Sequence, residues 1–157
     1  MKRFLTAILI LFAAATTVRV VVAEILFPGG GETRKEALSV PEKGRFLGIY
    51  YFLMGKTRCS TCLTMEAFSR EAVETRLGGE KERGRVGFAV ADTESPPFRH
   101  YKEEFRLPST SLVLALYEDG ELLRFKNLNR IWRLVRRKKE FLDYVEREAR
   151  DLLGEGR

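Results

Sequence analysis

Two sulfur atoms three residues apart are the first chemistry this sequence offers. The run Cys59-Ser60-Thr61-Cys62 holds both cysteines of a 157-residue chain that has one histidine, His100. That count excludes a disulfide-rich scaffold. It also excludes zinc sites built from four cysteines or from two cysteines and two histidines. Two thiols at this spacing reach each other across one helical turn, so a mixed disulfide formed on one can be resolved by the other. A cysteine at a helix start faces free backbone N–H groups and the positive end of the helix dipole, which favour thiolate over thiol. Lys56 and Arg58 add positive charge just before it. Cys59, at the outer edge of such a helix, is then the attacking thiolate and Cys62, one turn in, the resolving thiol. The residues leave two alternatives open. A structural bridge over so short a loop would constrain the unfolded chain little. Metal capture would need ligands beyond the two thiolates. Leu63 follows Cys62, so covalent haem attachment is not indicated.

Thiols used this way must be held between a strand and a helix, and the flanking patterns supply both. The aromatic-rich run Phe46 to Met54, ended by Gly55, reads as a buried strand. Residues 60–77, with Leu63, Ala67 and Val73, read as a helix stopped at Gly78-Gly79. Arg85 to Ala91 is a second strand, and Asp92 at its end reads as a strand-end cap, with a proton acceptor as the alternative. Ser95-Pro96 opens a short helix through Phe105, with Ser95 as its cap and His100 as a surface or half-buried residue on it. Leu112 to Tyr117 and Leu122 to Lys126 are strands joined by an Asp119-Gly120 hairpin turn. A long helical region then runs from Leu128 to Leu153, broken near Arg137–Lys139, with Trp132 in a core stripe beside Leu128, Ile131 and Val135. The order is β-α-β-α-β-β-α. Strands separated by helices need parallel crossovers and the hairpin pair is antiparallel, so the expected fold is α/β, a mixed four-stranded sheet with helices on both faces.

The charge is unevenly spread. The chain carries 28 Lys+Arg and 22 Asp+Glu, a net +6, of which Lys2, Arg3 and Arg19 contribute three. Lys2 and Arg3 precede an apolar run and small residues that allow cleavage after Ala15 or Ala23. Residues 1–23 therefore read as a signal peptide or an N-terminal membrane anchor. Either puts the domain outside the cytoplasm, in a periplasm or on the outer membrane face. Residues 24–44, rich in turn formers and charges, read as a linker, and 45–157 as the domain. Arg124, Lys126, Arg130, Arg133, Arg136, Arg137, Lys138 and Lys139 fall within residues 124–139, which hold no acidic residue. This stripe could meet an anionic membrane surface or an acidic partner, or simply be a solvated face balanced by acidic helices. No aromatic-interleaved binding motif accompanies it, so nucleic acid is not an expected partner.

The element order with CSTC at the first helix start resembles the thioredoxin-like superfamily over residues 46–153. The stretches YYFLMGKTRCSTC, EAFSREAV, RFKNLNRIWRLV and EFLDYVEREARDLL are similar to exported thioredoxin-like proteins of the nitrophenyl compound nitroreductase subunit ArsF family. The resemblance implies an exported thiol-disulfide oxidoreductase or electron-relay subunit. It would use a redox-active Cys59–Cys62 disulfide without other cofactor or metal, act on protein disulfides or dithiols, and be regenerated by a membrane redox partner. A non-catalytic binding subunit with a structural CxxC, or a copper- or zinc-handling protein, are the competing readings. Two departures from the thioredoxin pattern stand out. Arg58 replaces the usual Trp before the first cysteine, and Ser60-Thr61 replaces Gly-Pro, the dipeptide that tunes redox potential. The family's cis-proline before the third strand has Pro108 as its candidate. By spacing from Phe105, however, Thr110-Ser111 forms the loop facing the cysteines, and Leu107–Pro108 then has no need to be cis.

Overall fold

Seven consecutive residues, Phe46 to Phe52, are buried in β1 (Arg45–Leu53). Only a strand covered on both faces can use so continuous an apolar run. The computed structural model describes residues 39–55 and 59–155. The expected targeting segment 1–23, most of the 24–44 linker, and Lys56 and Arg58 lie outside the described residues. After β1 come α1 (Ser60–Arg76), α2 (Gly78–Glu82), β2 (Val86–Asp92), a 3-10 turn (Pro96–Phe98) and α3 (Tyr101–Glu104). They are followed by β3 (Ser111–Glu118), β4 (Glu121–Asn127), α4 (Ile131–Leu134) and α5 (Lys138–Leu153). The strands lie in the order β2-β1-β3-β4. β1 runs parallel to β2 and antiparallel to β3, and β3 runs antiparallel to β4. This is the mixed four-stranded α/β sheet that the element order implies.

Alternation along β1 sorts the core into two chemistries. Leu47, Ile49 and Tyr51 face α1 and α5, joining Met65, Val73, Phe141, Val145 and Leu152 in an aliphatic-rich layer. Phe46, Tyr50 and Phe52 face the other way, into a layer with Phe98, Phe105, Val113 and Tyr117 beneath the 3-10 turn and α3. Helices therefore cover both faces. The Asp119-Gly120 turn has positive φ at both residues, 51° and 83°, as a two-residue hairpin requires. Its Asp119 side chain accepts the Gly44 N–H at 2.8 Å.

Two expectations change and one is extended. α1 ends at Arg76, just before Gly78-Gly79 as expected, but a second short helix follows at once. The chain kinks at buried Leu77, whose carbonyl accepts the N–H groups of Glu80 and Lys81, and α2 begins at Gly78. Glu80 is thereby buried between Arg83 and Arg85, at 2.7 and 2.9 Å, which gives the second helix a reason that backbone propensity lacks. Ser95 makes no side-chain cap bond. Its hydroxyl turns back to Asp92 Oδ2 at 3.2 Å, and the two prolines after it yield a 3-10 turn before α3. Trp132 is not in the core: it is 40% exposed, while Leu128 and Ile131 are fully buried. The one-turn helix α4 is too short to carry a full stripe inward.

A cramped contact sits in the aromatic layer. A Cβ on Gly48 would lie 2.6 Å from Cε2 of Tyr50, two residues along the same face. That ring cannot yield easily, because it stacks on Phe52 at 5.5 Å, lies 6.1 Å from Phe105, and its hydroxyl meets that of Tyr117 at 3.3 Å. Gly48→Ala is expected to destabilise the protein by about 1–3 kcal/mol through overpacking. The cost should shrink on a Tyr50→Leu background, a coupling that urea unfolding of the four-member cycle will read.

Candidate functional site

The two cysteines stand at the carboxyl end of β1, where α1 begins. Cys59 is the N-cap residue, with extended φ and ψ of −75° and 157°. Its Sγ accepts the Cys62 N–H at 3.2 Å, and its carbonyl accepts the Leu63 N–H at 3.0 Å. A sulfur therefore takes the place of the Ser or Asp oxygen that more commonly caps a helix. Cys59 is exposed and Cys62 half-buried, and both are free thiols. The two are electrostatically unequal. The Cys62 thiol, by donating a hydrogen bond, is the largest influence lowering the Cys59 pKa, followed by the Cys62 backbone N–H. The Cys62 pKa is raised, first by burial and then by its role as donor to Cys59. Negative charge is thus favoured on the exposed sulfur.

One side chain ties down the first turn of α1, and two more fix the end of β1. Tyr51, fully buried on β1, donates its phenolic hydroxyl to the Cys62 carbonyl at 2.8 Å. Thr93, fully buried after β2, donates both its N–H and its hydroxyl to the Leu53 carbonyl, at 3.0 and 2.9 Å. Thr110 accepts the Met54 N–H at 3.2 Å through Oγ1. The Thr110-Ser111 loop thus adjoins the end of β1 from which the CxxC segment departs, with Ser111 opposite Phe52 in the ladder. The Ser111 hydroxyl is used within its own loop, donating to the Ser109 carbonyl at 2.8 Å. Pro108 is exposed, and the described residues contain no cis peptide bond. Ser60 is exposed, its carbonyl accepting the Thr64 hydroxyl at 3.0 Å, while the Thr61 backbone N–H also favours the Cys59 thiolate. Arg58 lies outside the described residues.

Tyr51 and Thr93 were not singled out from the sequence. The available signal for Tyr51 was a tyrosine on the aliphatic face of β1, where its hydroxyl needs a partner. Thr93 had no local signal, because its acceptor belongs to a different strand. Asp92 caps the strand end, accepting the Glu94 N–H at 3.0 Å and the Ser95 hydroxyl at 3.2 Å. His100 is exposed against the Tyr101 ring, 3.9 Å from Glu104, on the sheet face opposite α1. Among the described residues no group of three or more His, Cys, Asp or Glu side chains is placed to hold a metal ion.

No protein-family model matches the chain, and no curated protein matches it. Among solved structures, the solution structure of a thioredoxin from Thermus thermophilus is similar. It has a TM-score of 0.42 and 20% sequence identity, over 71% of this chain and 76% of that one.

The unequal environments have a direct readout. The pH profile of Cys59 alkylation in a Cys62→Ala variant is expected to have its midpoint above that of the reduced wild type, because the strongest thiolate-favouring donor is gone. Tyr51→Phe keeps the ring and removes one hydrogen bond, so it should cost about 1 kcal/mol. It should also move the Cys59 midpoint upward as the first turn loosens. Iodoacetamide rates across pH, with peptide mapping of the modified cysteine, will check both directions.

Proposed function

We propose that this protein is an exported thiol-disulfide oxidoreductase. The observation that carries the reading is the division of labour within the pair: an exposed Cys59 sulfur stabilised as thiolate, beside a less exposed Cys62 that supplies the stabilising hydrogen bond. The chemistry follows in two exchanges. The Cys59 thiolate attacks a substrate disulfide, whose S–S bond breaks as the Cys59–substrate bond forms, and the departing sulfur leaves as a thiolate and takes up a proton. Cys59 has now lost its charge. Of the influences that held the Cys62 pKa up, both its hydrogen bond to Cys59 and the repulsion from the Cys59 charge disappear. Cys62 then ionises more readily and attacks the Cys59 sulfur, closing the Cys59–Cys62 disulfide and releasing the second substrate thiolate. Two electrons pass from protein to substrate, and the reverse sequence oxidises a dithiol.

Arg58, Ser60 and Thr61 border the attacking sulfur in sequence, and the Thr110-Ser111 loop, after Pro108, offers the backbone that a substrate strand would lie against. Export rests on residues 1–23, and the similarity of the CxxC region to exported ArsF-type proteins fits it. An exported pair has no access to cytoplasmic reductants, so a membrane redox partner would regenerate it.

The Cys59–Cys62 couple is expected to equilibrate reversibly with a glutathione buffer. A Cys62→Ser variant is expected to accumulate stable mixed disulfides on Cys59, seen as mass adducts that dithiothreitol removes. A pair that neither equilibrates nor traps a partner would leave the non-catalytic or metal-handling readings standing instead.

A further inference from the structure

Eight basic side chains lie between residues 124 and 139, but the fold consumes five of them. Arg124 donates to the Leu152 carbonyl at 2.7 Å, and Lys126 pairs with Glu148. Arg137 pairs with Glu140 at 2.9 Å, Lys138 with Glu71 at 2.8 Å and Lys139 with Asp143 at 2.6 Å. Arg130 lies over the Tyr144 ring at 5.1 Å, keeping its charge. Arg133 and Arg136 are exposed and form no ion pair among the described residues. In sequence these three arginines flank Trp132, 40% exposed and the only tryptophan of the chain. The neighbouring Ile131 and Leu134 are buried and anchor α4.

Sheet register carries this cluster to the same end as the cysteines. The Leu128 N–H donates to the Leu112 carbonyl at 2.8 Å, Leu112 is paired with Tyr51, and Tyr51 holds the Cys62 carbonyl. Two strand spacings, about 10 Å, therefore separate Tyr51 from the entry to α4. Each side of an ordinary protein interface covers roughly 800 Å², a patch about 30 Å across. A patch of that width centred on Cys59 reaches the end of the sheet where α4, the helix that carries Trp132, begins. Leu63, four residues beyond Cys59 on α1 and 47% exposed, adds apolar surface beside the sulfur.

Resting on the oxidoreductase reading above, we propose that the protein substrate presents its disulfide next to an acidic segment bearing an apolar side chain, and that this segment docks on Trp132 with Arg130, Arg133 and Arg136. Guanidinium groups take carboxylates in paired hydrogen bonds, and Trp with Arg is the combination that concentrates binding energy at protein interfaces. An anionic bilayer fits less well. Recognition of acidic lipid relies on about 4–8 uncompensated basic residues, and internal pairing leaves three.

Trp132 emission reads docking without any redox step. A cysteine-free peptide with four Glu around a Leu is expected to shift the emission saturably, and its Lys counterpart is not. Arg133→Glu combined with Arg136→Glu, both at exposed positions, should weaken the acidic peptide at least tenfold and admit the Lys peptide. In turnover, a peptide disulfide flanked by Glu should exceed its Lys-flanked counterpart in kcat/KM at least tenfold, and the double variant should bring that ratio towards one. Equal response to both peptides, or a shift produced by phosphatidylserine vesicles and not by the acidic peptide, overturns the proposal. Wild-type reaction with neutral hydroxyethyl disulfide is scored separately: its failure would sink the oxidoreductase reading, while the fluorescence titration still decides the docking.

Discussion

A phenol with no access to water must still satisfy its hydroxyl, and Tyr51 does so against the carbonyl of Cys62. The arrangement of the site depends on this bond. β1 is covered on both faces, so its position is set by the whole core, and the Tyr51 ring is fixed with it. Its hydroxyl then reaches out of the sheet layer and pins the first turn of α1. With that turn held, the Cys62 N–H points at the Cys59 sulfur, and Cys62 itself stays half-buried behind it. An interior packing requirement thus becomes an electrostatic difference between two residues of the same type. Thr93 and Thr110 brace the strand end that leads into the loop, one from each neighbouring strand connection, so the site is held by side chains from three parts of the chain.

Charge shows a similar economy. The helices α1 and α5 are rich in carboxylates, and these meet the basic stripe: Glu71 with Lys138 and Glu148 with Lys126 across the fold, and Asp143 with Lys139 one turn along α5. Each exposed pair contributes little stability alone, typically up to about 1 kcal/mol. Their larger effect is to subtract charge from the surface, leaving a field concentrated at the short segment 130–136. A charge run in sequence is therefore a poor guide to a charged face. Whether a basic residue is available to a partner depends on which acidic side chains the tertiary structure brings beside it.

Much of the fold was legible because it is written in local patterns. The continuous apolar run of β1, the Asp-Gly turn with both residues at positive φ, the strand–helix alternation that demands parallel crossovers, and the break before Lys138 all follow from interactions within a few residues of each other. The exceptions share a cause. At Gly78 two residues that usually end helices begin one, because burying Leu77 and pairing Glu80 with Arg83 and Arg85 outweighs backbone preference. Trp132 has the spacing of a core residue, but a single helical turn offers too little inward face to take it. Ser95 lost its capping role to the nearby carboxylate of Asp92.

The opening pair of cysteines divides along the same line. Their spacing, their place at a helix start and the assignment of Cys59 as the outer sulfur are properties of the sequence, since an N-cap position and one helical turn define them. What tertiary structure alone decided is why the outer sulfur is the stabilised one and what holds it so. Cys62 is half-buried only because α1 packs on the sheet. Its carbonyl finds Tyr51, eleven residues back, and Thr110, far along the chain, adjoins the same strand end. These contacts arise from the packing of a helix on the sheet and from register between distant strands, both set by the whole core, which no local pattern records.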